Sequence, residues 1–320
     1  MRIISAEEVD RALDFPALVK VLREAFLQGA IQPVRHHHTV ERPAGQPTTL
    51  LLMPAWTDFE ARGHEGNGHI GVKIATVSPD NNTVGKPAVM AQYLLLDGFT
   101  GEPEALIDGQ RLTLWRTAAA SALAADYLAR KDAGRLLVIG AGALAPFLAR
   151  AHAAVRPIRD ITIWNRTRDK AERVASQLSA EGFETKVTDD IDVALAETDI
   201  VTAATISTVP LVHGAVLRPG THVDLVGAFS PAMRESDDEA VRRSRVYVDT
   251  RSGALKEAGD IVQAIASGAL AEEAIAGDLF QLTRGEATGR QDAHEITLFK
   301  SVGAALEDLA AAVYVHRTLG

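Results

Sequence analysis

The run Leu136-Leu137-Val138-Ile139 passes without a polar break into Gly140-Ala141-Gly142-Ala143-Leu144-Ala145, an apolar strand delivered into Gly-x-Gly-x-x-Ala. The chemistry that this spacing suits is the binding of a dinucleotide. Gly140 permits a tight turn, Gly142 lets a pyrophosphate reach the backbone, Ala145 lets the following helix lie close to the strand, and the phosphates meet a helix N-terminus. Glycine pairs after apolar runs also occur in ordinary loops, so context decides. An apolar segment from Leu144 to Val155 leads to a second alternating stretch, Ile158 to Asn165, completing a βαβ unit of roughly 30 residues. At the end of that second strand an NAD-preferring protein carries an acid for the ribose; this chain has Asn165-Arg166-Thr167-Arg168 and, just beyond, Lys170. Guanidinium groups and a hydroxyl suit a 2′-phosphate, whereas cations left bare at a helix N-terminus oppose its dipole. NADPH is therefore the expected cofactor, with NADH a weaker second.

The frame around these residues is that of a soluble protein. The chain has 320 residues, enough for two domains, and its 47% hydrophobic and 23% charged content is ordinary for globular proteins. A formal net charge of −9 argues against nucleic acid as a partner, because phosphate backbones need net or clustered positive charge. The absence of cysteine excludes disulfides, thiolate metal sites and a cysteine nucleophile. No uncharged apolar run reaches the ~18–20 residues that cross a bilayer, and the N-terminus turns acidic at Glu7-Glu8 where a signal peptide turns apolar. No membrane partner and a cytoplasmic location are expected.

In chain order, Ser5-Ala6-Glu7-Glu8 reads as a capping box. Asp14 caps a second helix with Phe15, Leu18, Val19, Leu22 and Phe26 at helical spacing, closed by Gly29. From Pro33 to Asp97 the pattern becomes mixed α+β, with strand-like runs at Thr49 to Met53, Ile70 to Val77 and Ala88 to Leu96. Arg116-Thr117 opens an Ala-rich helix to about Arg130, and Gly134 breaks it before the nucleotide strand. Later strand candidates at Phe183 to Val187, Ile200 to Ala204, His222 to Val226 and Val246 to Asp249 alternate with helical stretches such as Asp190 to Glu197. That alternation predicts an α/β fold with a doubly wound parallel sheet. Past Arg251 the chain reads as mostly helical, ending with Glu295 to Gly303 and a helix to about His316.

Taken together, these segments resemble the ornithine cyclodeaminase/μ-crystallin family over nearly the whole chain. The resemblance is carried by Gln32-Pro33-Val34-Arg35, Met53-Pro54-Ala55, Gly71-Val72-Lys73, Arg116-Thr117-Ala118-Ala119, the Gly140 turn, Val226-Gly227-Ala228 and Thr297-Leu298-Phe299-Lys300-Ser301-Val302-Gly303. It implies a Rossmann-type dinucleotide-binding domain over 117–295. It also implies an α+β substrate-binding and dimerisation domain built from 1–116 with 296–320, and a homodimer. By the same resemblance Lys73 and Arg116 are catalytic, and Arg35, Lys73 and Arg116 surround the carboxylate of an amino-acid-like substrate, with Met53, Phe229, Ser301 and Gly303 completing its site. The cofactor falls to Thr117, Gly140, Ala141, Gly142, Ala143, Leu144, Asn165, Arg166, Thr167, Lys170, Thr205, Ile206, Ser207, Val226, Gly227 and Ala228. The side-chain chemistry agrees: arginine offers a planar fork for a carboxylate, and lysine a point charge that can also donate a proton. Lys73 and Arg116 are expected to face substrate rather than hold the core, although a solvent-facing lysine would also interrupt an apolar strand. For Arg35, beside His36-His37-His38 in a polar loop, a surface role is an equal alternative.

Members of that family differ in their chemistry, and the stretch Asp224 to Glu235 bears on the difference. Where the cyclodeaminases carry an aspartate that handles amine and water protons, this chain has Phe229, and a phenyl ring neither accepts a proton nor pairs with an ammonium. The form Gly227-Ala228-Phe229-Ser230-Pro231-x-Met233-Arg234-Glu235 resembles the bacterial Δ1-pyrroline-2-carboxylate reductases. The expected activity is NAD(P)H-dependent reduction of a small cyclic imino acid. Δ1-Pyrroline-2-carboxylate would give L-proline, and its six-membered homologue Δ1-piperideine-2-carboxylate would give L-pipecolate. Lys73 or an ordered water supplies the imine proton. The alternatives are ornithine cyclodeamination, an alanine-type dehydrogenation, or a dinucleotide-dependent small-ligand binding protein of μ-crystallin type.

No metal is expected. The histidines of His64-Glu65-Gly66-Asn67-Gly68-His69 are five apart, and two glycines disfavour the helix that would put both on one face. Consecutive His36-His37-His38 point in different directions, which suits a surface or rim. Neither a Gly-x-Ser-x-Gly elbow nor a Gly-Lys-Ser/Thr phosphate loop is present.

Overall fold

The computed structural model describes residues 1–60 and 68–320, so His64 of the zinc-like spacing lies outside the described residues. The chain forms two compact units, Met1–Arg116 with Ala304–Gly320, and Thr117–Gly303.

The first unit opens with a short strand, β1 (Arg2–Ile4), and two helices, α1 (Ala6–Ala12) and α2 (Phe15–Gln28). Ser5 and Glu8 form the reciprocal capping box of α1, and the Asp14 carboxylate accepts the Ala17 N–H to start α2. Gly29, at φ +88°, ends α2 in a conformation that an L side chain rarely adopts. The chain then runs as a meander: β2 (His36–Val40), β3 (Thr48–Trp56), β4 (His69–Val77), β5 (Val89–Asp97) and β6 (Pro103–Asp108). The resulting six-stranded sheet has the order β1-β6-β5-β4-β3-β2, antiparallel except for β1 on β6. The three histidines therefore lie on an exposed edge strand rather than in a loop.

Alternation sorts the two faces of this sheet. Met53, Lys73, Tyr93 and Ile107 are directly opposite one another across β3, β4, β5 and β6, and all four are buried. The neighbouring row on the other face, Leu52, Ile74 and Gln92, is partly or fully exposed, and Ile74 and Met90 are exposed apolar residues there.

The helix α3 (Gly109–Leu128) begins seven residues earlier than the sequence pattern suggests, directly from the end of β6. The Asp108 carboxylate accepts the Arg111 N–H at 2.7 Å and so caps the helix. Gly109 is needed at that start because a Cβ there would come within 2.8 Å of the backbone at Ala91 and Gln92.

The second unit carries β7 (Arg135–Ile139), α4 (Ala145–Val155), β8 (Asp160–Trp164), α5 (Arg168–Ala180), β9 (Glu184–Val187), α6 (Ile191–Glu197), β10 (Ile200–Ala203) and β11 (His222–Leu225). It continues through α7 (Asp238–Arg243), β12 (Ser244–Val248), α8 (Arg251–Glu257), α9 (Gly259–Ala266), β13 (Gly277–Asp278), α10 (Leu279–Thr283) and β14 (Ile296–Lys300). The eight strands make one parallel sheet in the order β13-β12-β14-β11-β10-β7-β8-β9. Successive β7 residues serve opposite faces: Leu136 and Val138 enter one core cluster, Leu137 and Ile139 the other. Burial on both faces is why this strand reads as an unbroken apolar run. Between β7 and β10 the strand order reverses, the switch point where open α/β sheets bind ligands.

The sequence reading assigns 296–320 as a block to the N-terminal domain, and the structure divides it. Residues Ile296–Lys300 are β14, fully buried and paired on both sides with β11 and β12, so they belong to the parallel sheet; only α11 (Ala305–Leu319) returns to the first unit. Among the described residues no helix is long and apolar enough to cross a membrane.

Candidate active site

Within the first unit, α11 packs against β3, β4 and β5 and presents its first turn to the row that contains Lys73. The Lys73 ammonium donates to Asp308 Oδ2 at 2.7 Å. Arg116, near the middle of α3, reaches the same carboxylate through Nε at 2.9 Å and Glu307 Oε2 through Nη1 at 2.7 Å. Lys73 is 4% exposed, Arg116 5%, and both acids 0%, so two cations and two carboxylates neutralise one another in a nearly dry setting. Lys73 and Arg116 are thus buried and ion-paired, and they hold this unit together as well as offering charge. That differs from the expectation that they only face substrate. The cause is the pair of acids on α11, which sequence reasoning missed. The available signal was Glu307-Asp308 inside the otherwise apolar Leu306 to Val313, since adjacent acids on a buried helix call for cations.

The electrostatics of the four groups follow from burial. Burial, and then the neighbouring Arg116 charge, bring the Lys73 ammonium down to about 8 in spite of Asp308, with Arg35 contributing further. Burial also works against the Arg116 charge, but Asp308 and Glu307 more than offset it and hold the guanidinium above its ordinary value. Asp308 stays below the usual carboxylate range because Arg116 and Lys73 outweigh its desolvation. Met53 is buried opposite Lys73, and Arg35 is partly exposed just before β2. Tyr93 completes the row, fully buried, with a hydroxyl that has no hydrogen-bond partner among the described residues and occupies the space a side chain at Gly71 would need.

In the second unit the Gly140 turn has the features of a phosphate cradle. Gly140 has φ +102°, and a Cβ there would meet the Ala204 carbonyl at 2.8 Å; at Gly142 nothing lies within 4 Å. The N-cap of α4 is Leu144, whose side chain makes no cap hydrogen bond, so the partial positive charge of the helix N-terminus is left for an anion. The Asn165 side chain accepts the Ala141 N–H at 3.1 Å and donates to the Thr167 carbonyl at 2.8 Å, which ties the end of β8 to the turn. Of the basic residues beyond it, Arg168 is taken up by Glu172 and Asp189. Arg166 and Lys170 are exposed and have no ion pair among the described residues.

The other expected cofactor residues occupy the loops after β10 and β11. Thr205 and Ser207 are partly buried, and Ile206 is 73% exposed; Val226, Gly227 and Ala228 are buried. Phe229 follows at 42% exposure. The acids on either side of it in the chain are both engaged: Asp224 accepts from Ser121, Thr202 and His152, and Glu235 from Thr205. Thr117 is partly exposed one residue after Arg116 on α3. Ser301 and Gly303 are buried just after β14, where the Ser301 N–H bonds the Leu225 carbonyl and the Gly303 N–H bonds Asp249. Their backbones therefore secure the sheet.

A doubly wound parallel sheet, with a glycine turn at its switch point and an uncapped helix behind the turn, defines a dinucleotide-binding α/β protein. The model of the ornithine cyclodeaminase/mu-crystallin family matches residues 2–319, and the chain belongs to that family. A Delta(1)-pyrroline-2-carboxylate reductase of Colwellia psychrerythraea is 36% identical over 318 residues, covering 98% of this chain and 97% of its own. The solved structure of Thermococcus litoralis Delta(1)-pyrroline-2-carboxylate reductase in complex with NADH and L-proline matches at a TM-score of 0.92 and 33% identity, covering 99% of this chain and 97% of that one. An archaeal alanine dehydrogenase dimer with bound NAD matches at 0.88 and 28% identity, covering 99% and 95%.

Because Arg116 neutralises two buried carboxylates, Arg116→Ala is expected to destabilise the protein by about 3–5 kcal/mol, the cost of leaving buried charge unpaired. Arg116→Ala with Glu307→Gln should recover part of that loss. Chemical denaturation of the three proteins decides, and an unchanged midpoint for Arg116→Ala would mean the cluster is not formed.

Proposed function

We propose that this protein reduces small cyclic imino acids with a nicotinamide dinucleotide, converting Δ1-pyrroline-2-carboxylate to L-proline and its six-membered homologue to L-pipecolate. The observation that carries the reading is Phe229: an exposed ring lies in the loop after β11, and the flanking acids Asp224 and Glu235 are buried and engaged. A site of that kind lacks the free carboxylate that handling a terminal amine requires, while reduction of an imine needs only an anchored carboxylate, a hydride and one proton. The names of the relatives support the same substrate class, as does the L-proline in the Thermococcus litoralis complex.

A bound nicotinamide dinucleotide supplies the hydride to the imine carbon. The protein's residues supply the rest. Arg116 keeps Nη2 outside its two ion pairs, and the Lys73 ammonium has donors beyond the one given to Asp308, so both can still grip a substrate carboxylate together with Arg35. Glu307 and Asp308 hold the Arg116 fork in one orientation before substrate arrives, a positioning effect. Lys73 is the proposed donor of the proton that the imine nitrogen takes up as its carbon receives hydride. Phe229 offers an apolar surface to the ring carbons and penalises a charged terminal ammonium. Arg166, Thr167 and Lys170 are proposed to receive the 2′-phosphate of NADPH, with NADH as a weaker alternative. We also propose a homodimer through the open face of the six-stranded sheet, where Ile74 and Met90 are exposed; the archaeal alanine dehydrogenase is a dimer. A single-chain mass by light scattering would refute it.

The direct test follows NADPH oxidation with Δ1-pyrroline-2-carboxylate and ammonia release from ornithine with NAD. Proline formation without ammonia is expected, and robust ammonia release would show that another residue supplies the missing acid. For the cofactor, Arg166→Ala should weaken NADPH by about tenfold or more and leave NADH little changed. Equal losses for both would remove Arg166 from the 2′-phosphate.

Proton supply by Lys73 sets the pH dependence. With its ammonium lowered to about 8, it is charged below that pH and neutral above, so kcat/KM for imine reduction should fall as pH rises through about 8. In Lys73→Arg, whose guanidinium stays charged and does not give up its proton, kcat/KM should fall well below that of wild type and the limb near pH 8 should be absent. If both proteins lose activity at the same pH, the titrating group belongs to the substrate or to another residue.

A further inference from the structure

Lys300, at the end of β14, is fully buried, lies 3.3 Å from Asp260 Oδ2 and 3.9 Å from Glu235 Oε2, and donates a hydrogen bond to the Gly227 carbonyl. Three ionisable side chains without exposure are costly to bury, so what they hold in place matters. They hold backbone. Glu235 Oε1 accepts the Thr205 N–H at 2.6 Å and the Thr205 hydroxyl at 2.8 Å. Asp260 Oδ1 accepts the N–H groups of Glu235 and Ser236 at 2.9 and 2.8 Å, and so fixes the segment that carries Glu235. Thr205 begins the loop after β10 and Gly227 the loop after β11, on strands adjacent in the sheet.

The geometry of these loops is demanding. A Cβ on Gly227 would lie 2.1 Å from the Thr205 carbonyl and 2.4 Å from Glu235 Oε1, so only glycine allows this approach. Ala228 has φ +46°, the one positive value for a non-glycine residue among the described residues, and its carbonyl accepts the Gly259 N–H at 3.0 Å. A conformation of that kind persists only where its surroundings over-determine it.

We propose that Lys300, Glu235 and Asp260 are positioning residues for the nicotinamide half of the cofactor site, clamping the loops after β10 and β11 at one fixed spacing from beneath. This rests on the reading of those loops as cofactor-binding and adds the residues that set their geometry. Among the described residues none of the three makes a hydrogen bond or ion pair to the Gly140 turn, the proposed phosphate cradle, or to Asn165 through Lys170, the proposed seat of the adenosine half. The two halves of the cofactor should therefore respond differently when the cluster is disturbed. Burial pushes the Glu235 carboxyl up to about 8, against the pull of Lys300 and with the push of Asp260, so near neutral pH the Lys300–Asp260 pair balances without it.

That balance selects the test variant. Glu235→Leu removes the acceptor for Thr205 and leaves the Lys300–Asp260 pair intact. It should fold by circular dichroism, bind 2′-phospho-ADP-ribose, which lacks nicotinamide, within about twofold of wild type, and turn over about 10- to 100-fold more slowly at saturating NADPH. Its deuterium isotope effect with 4-deuterated NADPH should rise as hydride transfer becomes limiting. Glu235→Gln, which retains a carbonyl acceptor, should recover most of the rate. Full turnover in Glu235→Leu, or an equal loss of affinity for the fragment, overturns the proposal. If Glu235→Leu does not fold, the charge-neutral double variant Lys300→Met with Asp260→Asn is read in the same way. A wild-type protein inactive on every imine refutes the functional reading instead; the clamp is then judged by binding alone, NADPH affinity falling about tenfold in the variant while the fragment's holds.

Discussion

Two cations sit under the last helix of the first unit, and they are tolerable there only because that helix brings two carboxylates to meet them. Arg116 bridges Glu307 and Asp308, and Lys73 shares Asp308. Either cation alone, at about one-twentieth of its surface exposed, would be an uncompensated buried charge. The chain must therefore return to the first unit after building the whole of the second, and it must do so with Ala304–Gly320 rather than with an arbitrary helix. The acids occupy the first turn of α11, where the helix dipole favours negative charge, so the same placement suits the helix and the cations.

The two units treat buried charge alike. In the first, two positive and two negative groups cancel; in the second, Lys300 is opposed by Asp260, with Glu235 raised toward its neutral form by burial. Each cluster joins segments far apart in the chain, Lys73 to Asp308 in one and Gly227 to Lys300 in the other. Buried charges that are paired specify one arrangement, because any slip leaves a charge unpaired in a medium that screens it poorly. On the proposed reading, this rigidity is the contribution to catalysis. The reaction asks little of the protein in acid–base chemistry and much in the placement of a carboxylate and a ring.

The loops that close the second unit carry strain where the reading expects the cofactor. Ala228 is held at positive φ, Gly227 leaves no room for a side chain, and exposed Ile206 and Phe229 flank the buried backbone. Exposed apolar side chains beside a strained turn suit a surface that a flat, partly apolar group covers when bound.

Local pattern determined most of the elements. The Ser5 capping box, the Asp14 cap, the apolar face of α2, the unbroken runs of the parallel strands and the Gly140 turn are all dictated by neighbours within a few residues, and they appear in the structure at or near the expected positions. The family motif likewise marked Lys73, Arg116 and the Lys300 run from sequence alone. Tertiary structure decided what those residues touch. Nothing in the spacing of residues 73, 116, 307 and 308 shows that they meet, since charge pairing across 190 residues or more leaves no periodic signal. The start of α3 depended on an Asp108 cap and a glycine pressed against β5. The division of residues 296–320 depended on β14 finding two parallel partners. Short-range propensity is additive along the chain and can be read there, whereas the partner of a buried charge or of a central strand is set by the fold as a whole.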